Sequence, residues 1–134
     1  MKDKIFCDSN IFLYAFGDAD EEKKNIASNI ITNNCTISTQ VINEVSNNMV
    51  KKLKFDEYQI KRFIISCYKK YEIINFEKNI FLSASDIRNN YNISYYDSLI
   101  VASALSSNAT ILYSEDMQHN QKIENIIIVN PFKI

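Results

Sequence analysis

Glycine and proline each occur once in this 134-residue chain, as Gly17 and Pro131, and tryptophan is absent. Sandwiches and barrels of many short strands draw on both residues for their tight turns, so this scarcity argues against them and for long helices with few sharp reversals. A single histidine, His119, rules out chemistry that needs a histidine pair. No GxSxG elbow accompanies it and no Gly-rich loop could cradle a nucleoside triphosphate. His119 is therefore expected to be a loop residue. Cys7, Cys35 and Cys67 are odd in number, widely spaced and outside any CxxC pair. They read as free thiols of a reducing cytoplasm, with Cys7 and Cys35 inside strands. No apolar run approaches the length of a membrane span. No signal peptide is expected, because the N-terminus is charged and its short apolar stretch contains Asp8. An excess of positive charge is missing too: the formal net charge is −1. A nucleic-acid role must then rest on a local basic patch or on bound cations.

What is present is enough for a core. The hydrophobic fraction is 46%, with eight Tyr and eight Phe, and the length is that of one ordinary domain, residues 1–134. The patterning predicts a strand over 3–7, a turn and helix cap at Asp8-Ser9-Asn10, and a short helix through Phe16. Asp20 caps a second helix with Ile26, Ala27, Ile30 and Ile31 at helical spacing. A strand over 35–38 precedes a helix over 39–53 striped by Val41, Ile42, Val45, Met49 and Leu53. Asp56 leads a helix with Ile60, Phe63, Ile64 and Cys67 on one side. A strand over 72–75 is followed by a helix over 77–90 that aligns Ile80, Phe81, Ala84 and Ile87. Ser94 opens a helix whose LIVASAL segment, 99–105, predicts burial on most sides. Strands over 110–114 and 126–129 complete the chain. Strands alternating with helices imply an α/β layer structure with a mostly parallel sheet and right-handed crossovers.

That geometry brings four acids together. Asp8 ends the first strand at the carboxyl edge of the sheet. Glu44 lies in the first two turns of the helix after the second strand. Asp97 lies in the first turn of the buried helix that leads into the 110–114 strand, and Asp116 follows that strand. All four converge where open α/β sheets place ligands. Unscreened, they would repel and raise one another's pKa. Two divalent cations would cancel the charge, and oxygen-only ligands suit Mg²⁺ or Mn²⁺. Such a site can hydrolyse phosphoesters with water as the nucleophile.

Each acid also has an ordinary explanation. Asp8 could be only an N-cap, Asp97 only the acid of a capping box with Ser94, Glu44 a solvated helix residue and Asp116 a surface turn. Their coincidence at one edge is what favours chemistry. Lys51, Lys52, Lys54, Lys61, Arg62, Lys69 and Lys70, on the segment 39–70, read as a solvated face or as a hold on a phosphate backbone.

The segments FCDSNIFLYAF, QVINEV, SYYDSLIVASAL and ILYSEDMQHNQKIENIIIVNPF, in that order, resemble the PIN domain, and especially the small VapC-type toxins, over essentially the whole chain. The resemblance implies a three-layer α/β/α sandwich with a mostly parallel sheet and a Mg²⁺- or Mn²⁺-dependent endoribonuclease acting on RNA. Its acidic motif falls on Asp8, Glu44, Asp97 and Asp116. Asn10 and Ser114 match supporting positions that orient water or ligands at the metal. It further implies a cognate antitoxin as partner and a homodimer. One departure is Asn120, where relatives commonly carry Gly; Asn tolerates the left-handed turn expected there. The rivals are a haloacid-dehalogenase-like phosphatase, which needs a second Asp where Asn10 stands, a receiver domain, which carries adjacent acids after its first strand, and an inactive interaction module.

Overall fold

The computed structural model describes residues 3–133. Its elements are β1 (Ile5–Cys7), α1 (Ser9–Phe16), α2 (Glu21–Thr32), β2 (Thr36–Ser38), α3 (Thr39–Lys51), α4 (Glu57–Lys70), β3 (Glu72–Ile74), α5 (Lys78–Asn90), α6 (Tyr95–Ser106), β4 (Ile111–Tyr113), β5 (Lys122–Ile123) and β6 (Ile126–Val129). The strands form one sheet in the order β3-β2-β1-β4-β6-β5. All neighbours are parallel except the hairpin pair β5 and β6.

The chain winds outward from β1 in two directions. It first builds β2 and β3 on one side, then crosses back to place β4 against the other side of β1. Right-handed crossovers in opposite directions put their helices on opposite faces. Accordingly α1 packs on α2 and α3, and α3 on α4, whereas α5 and α6 pack on each other. The result is an α/β/α sandwich. Phe6, Ile37, Leu112 and Ile128 fill the sheet and are fully buried.

Local chemistry explains the element ends. The side chains of Asp8, Asp20, Ser38, Asp56 and Ser94 each accept a backbone N–H of the helix they precede. Each cap thus satisfies a donor the helix leaves open and contributes about 1 kcal/mol. The α6 segment from Ser98 to Ala104 is buried throughout. Its small residues allow close packing, and Ser103 returns its hydroxyl to the Leu99 carbonyl at 2.8 Å.

Four expectations need correction. Cys35 is buried but lies just before β2. The helix over 39–53 ends at Lys51, because Lys54 takes a positive φ of 58° and turns the chain away. The basic residues of 51–70 are thus divided among the end of α3 (Lys51), the turn that follows it (Lys52 and Lys54) and α4. Phe81 is 46% exposed, its ring edge-on to Phe76, and does not join the stripe of Ile80, Ala84 and Ile87. Finally, β5 has no counterpart in the sequence reading. It is two residues long and joined to β6 through Glu124, which holds a positive φ of 52°. Glutamate gives no turn signal. A long-range tether helps to hold it there: Tyr91 Oη donates to Glu124 Oε2 at 2.6 Å.

Candidate active site

The site begins with the register of the two central strands. Cys7 pairs with Tyr113, so the next residues, Asp8 and Ser114, leave the sheet side by side. The Asp8 N–H donates to the Tyr113 carbonyl at 3.0 Å. Its carboxylate is 5% exposed. Oδ1 accepts the Ser9 N–H at 2.7 Å, which caps α1, and Oδ2 accepts the Ser114 hydroxyl at 2.9 Å.

Ser114 and Asn10 extend this into a network. The Ser114 hydroxyl, fully buried, also accepts the Asp116 N–H at 3.3 Å. Asn10 Nδ2 donates to Asp116 Oδ2 at 3.2 Å while Asn10 Oδ1 accepts the Glu115 N–H at 3.3 Å. The start of α1 and the end of β4 are thereby stitched together around two carboxylates. Both supporting residues named from the sequence hold protein carboxylates directly.

Glu44 and Asp97 arrive from α3 and α6. Glu44 stands in the second turn of α3, whose N-terminus is capped by Ser38 at the carboxyl end of β2. Asp97 stands in the first turn of α6, which runs back toward the start of β4. The Asp97 N–H donates to Ser94 Oγ at 3.3 Å. Among the described residues no reciprocal bond closes a capping box, and the Asp97 carboxylate stays available.

Asp8 and Glu44 respond to the charges around them. Burial pushes the Asp8 carboxyl from the ordinary 3.8 up to about 6; the Ser9 N–H and Ser114 hydroxyl oppose this, and the charges of Glu44 and Asp116 add to it. Burial also raises Glu44, opposed by a hydrogen bond from Gln40 and reinforced by Asp97 and Asp116. Among the described residues the ion pairs are Lys4–Glu72, Lys23–Glu115 and Lys24–Asp18, and none includes any of these four acids. Among the described residues, negative charge is thus gathered with no positive side chain ion-paired to it, an arrangement that favours a cation. The donors are all oxygen, as hard divalent ions prefer. Among the described residues, no group of three or more His, Cys, Asp or Glu side chains is placed closely enough to hold a metal ion. Charge coupling links Asp8 to Glu44 and Asp116, and Glu44 to Asp97 and Asp116, without a closed cage among the described residues.

Three features went unnoticed in the sequence. Glu115, beside Asp116, accepts Tyr14 Oη at 2.6 Å and Lys23 Nζ at 2.5 Å, and Lys23 also reaches Tyr14 Oη at 3.2 Å. The ammonium lies over the Tyr14 and Phe132 rings. Tyr14 follows Asn10 by one helical turn, which placed it on the site face; nothing in the sequence marked Lys23. A cleft of about 700 Å³ opens beside Asp116, Asn10 and Gly17, and Lys52 is among the residues that line it. The other expected basic residues, Lys51, Lys54, Lys61, Arg62, Lys69 and Lys70, are exposed and line no part of this cleft. The third, on α5 and α6, is taken up below.

Other nucleophile chemistry finds no support. His119 Nδ1 accepts the Asn130 N–H at 2.9 Å and pins its loop to the end of β6. All three cysteines are free and buried. A neighbouring Cys35 and burial hold the Cys7 thiol well above its usual range, and burial pushes Cys67 to about 12. Neither provides a thiolate.

A family model, described as PIN domain, matches residues 5–123. No curated protein matches the chain in sequence. Solved structures do resemble it in fold. A toxin–antitoxin complex from Klebsiella pneumoniae contains a chain 20% identical, with a TM-score of 0.71, covering 98% of this chain and 99% of that one. VapBC2 from Rickettsia felis, bound to a promoter DNA fragment, is 22% identical with a TM-score of 0.65, covering 92% and 96%. VapC20 from Mycobacterium tuberculosis, a toxin that cleaves the sarcin–ricin loop, is 13% identical with a TM-score of 0.67, covering 84% and 90%.

Proposed function

Because the chain belongs to the PIN domain family, we propose that it is a metal-dependent endoribonuclease and the toxin of a toxin–antitoxin pair. The single observation that carries the reading is the set of four acids, Asp8, Glu44, Asp97 and Asp116, at the carboxyl edge of the sheet, with no cationic side chain ion-paired to them among the described residues. The fold shared with toxins of such pairs supports it. The cleavage of RNA by one of them supports the substrate class. The rival phosphatase loses ground because Asn10 stands where a second Asp is needed and is engaged with Asp116.

Asp8 and Asp97 are the principal ligands, and Glu44 and Asp116 complete the pocket directly or through water. Mg²⁺ or Mn²⁺ bound there supplies the Lewis acidity that activates water and steadies charge on the leaving oxygen. The chain's own contribution is to fix donors. Ser114 and the Ser9 N–H aim the Asp8 carboxylate, and Asn10 aims Asp116. Burial at Asp8 excludes water and strengthens every charge interaction there. Water is the nucleophile, so no covalent enzyme intermediate forms. We further propose that the chain acts as a single domain in the cytoplasm, as a homodimer held inactive by its antitoxin. Among the described residues, no helix is long and apolar enough to cross a membrane.

The test is incubation of the purified protein with total RNA, with Mn²⁺ and with EDTA, followed by mapping of the cut ends. Cleavage with Mn²⁺ that EDTA abolishes, and that Asp8→Asn loses while staying folded, is the expected result. Full activity in Asp8→Asn would refute the assignment.

A further inference from the structure

Tyr95 and Tyr96 open α6 immediately before Asp97, yet they are 53% and 68% exposed. A buried tyrosine removes roughly 150–250 Å² from water, so two adjacent exposed rings forgo a large stabilisation. Among the described residues, neither phenol oxygen has a hydrogen-bond partner. The rings meet edge to face, with centroids 5.4 Å apart. The Arg88 guanidinium lies 4.5 Å from the Tyr95 centroid. It donates to Ser98 Oγ at 2.7 Å, and Ser98 Oγ donates in turn to the Tyr95 carbonyl at 2.5 Å. Arg88, half-buried, makes no ion pair among the described residues. An aromatic pair thus stands in the same first turn of α6 as Asp97, a proposed metal ligand, with an arginine of α5, unpaired with any carboxylate among the described residues, fixed against it.

We propose that Tyr95, Tyr96 and Arg88 form a nucleotide platform, on which a base flanking the cut phosphate stacks while the guanidinium holds a neighbouring phosphate. It rests on the nuclease reading and adds to it three groups outside the four acids that hold a nucleotide of the RNA beside the cut. Bases inside a duplex are stacked on one another and their faces cannot reach a protein ring, whereas unpaired bases stack readily on tyrosine. A protein partner accounts for the exposed rings but makes no use of the charge of the arginine, which among the described residues has no carboxylate partner. A nucleotide uses all three groups: a π-face for the base, a planar cation for the phosphate, and the nearby acids for the reaction. The platform also offsets the chain's lack of net positive charge, because stacking does not need it.

The experiment is binding of a fluorescent single-stranded RNA of mixed sequence, and of the same strand in a duplex, to full-length Asp8→Asn in Mg²⁺, where no cleavage intervenes. KM on the single strand is measured in parallel with the Asp8 enzyme. Adding Tyr95→Ala and Tyr96→Ala together should weaken single-strand binding by about 5- to 150-fold per stacked base, leave duplex binding unchanged, and raise KM. Phe at both positions should retain binding, which a lost hydroxyl contact or a misfolded variant would not. Arg88→Ala should reduce the slope of log affinity against log salt by about 0.7. If RNA is bound and cut but the alanine pair binds it as tightly as the parent, the platform is wrong and the nuclease reading stands. If the alanine pair instead changes only the sedimenting mass of the protein, the rings are a protein contact. If the Asp8 enzyme cuts no RNA and neither form binds it, both proposals fall together.

Discussion

The Ser114 hydroxyl donates to Asp8 Oδ2 at 2.9 Å across 106 positions of sequence, joining the end of β4 to the end of β1 inside the sheet's carboxyl edge. Both residues are buried, so no water can replace the bond. Ser114→Ala therefore strips a donor from a buried carboxylate, at about 1–3 kcal/mol. It also removes an influence that lowers the Asp8 pKa, which should rise further above about 6. Denaturant unfolding and carboxyl ¹³C titration read the two effects. An unchanged Asp8 titration would show that the hydroxyl does not steer the carboxylate.

Asp8 carries a pH signature of its own. Its folded pKa, about 6, lies above the ordinary 3.8, chiefly through burial. The folded state therefore holds the proton more tightly than the unfolded state, and stability falls as the pH rises. The contribution is fully present below pH 3.8 and is lost as the pH climbs through about 6. It amounts to roughly 3 kcal/mol. In EDTA at pH 7, Asp8→Asn should be more stable than the parent, since Asn still caps α1 without a buried charge. The advantage should shrink as the pH drops toward 4. Added Mn²⁺ should reverse the order by stabilising only the parent. Urea unfolding at a series of pH values measures all three. A variant less stable than the parent at every pH would refute the burial account.

How much of this was legible beforehand depends on the kind of signal. Helix caps are local, so Asp8, Asp20, Asp56 and Ser94 marked their helix starts correctly. The placement of Asp8, Glu44, Asp97 and Asp116 at strand ends and helix starts followed from topology, since a strand end and the start of a returning helix must share an edge. Phe81 failed because helical spacing gives a stripe but not its width, and its ring falls at the exposed margin. The Glu115–Lys23–Tyr14 contacts stayed hidden because they span 92 and 101 positions of chain. Hairpin β5–β6 stayed hidden because its turn rests on a glutamate tied to a distant tyrosine.

Asn120 was readable in advance, and it makes a clean test. Its φ is 68°, and its N–H donates to the Ile128 carbonyl at 2.7 Å. Asn120→Gly keeps that conformation free of strain and should change stability by only a few tenths of a kcal/mol. Asn120→Val must place a β-branched side chain in the left-handed region, at about 1–2 kcal/mol. A shift of the urea midpoint with an unchanged slope would identify a local effect. Equal midpoints for Gly and Val would mean that the loop relaxes out of this conformation.

Glu115 poses the last question, because it places a fifth carboxylate next to Asp116 on the wall of the cleft. Burial alone would raise its pKa, but Lys23 and then Tyr14 outweigh burial and leave it lowered. It is therefore ionised at neutral pH and would repel an incoming phosphate if Lys23 did not neutralise it. Lys23→Met exposes that charge. The expected consequence is a higher KM for RNA with kcat little changed, because the variant alters approach to the cleft and not the donors around Asp8. Glu115→Gln in the Lys23→Met background removes the charge while leaving an oxygen for Tyr14 Oη, and should restore KM. If the double variant remains as impaired as Lys23→Met, the lysine serves to anchor α2 and not to balance charge.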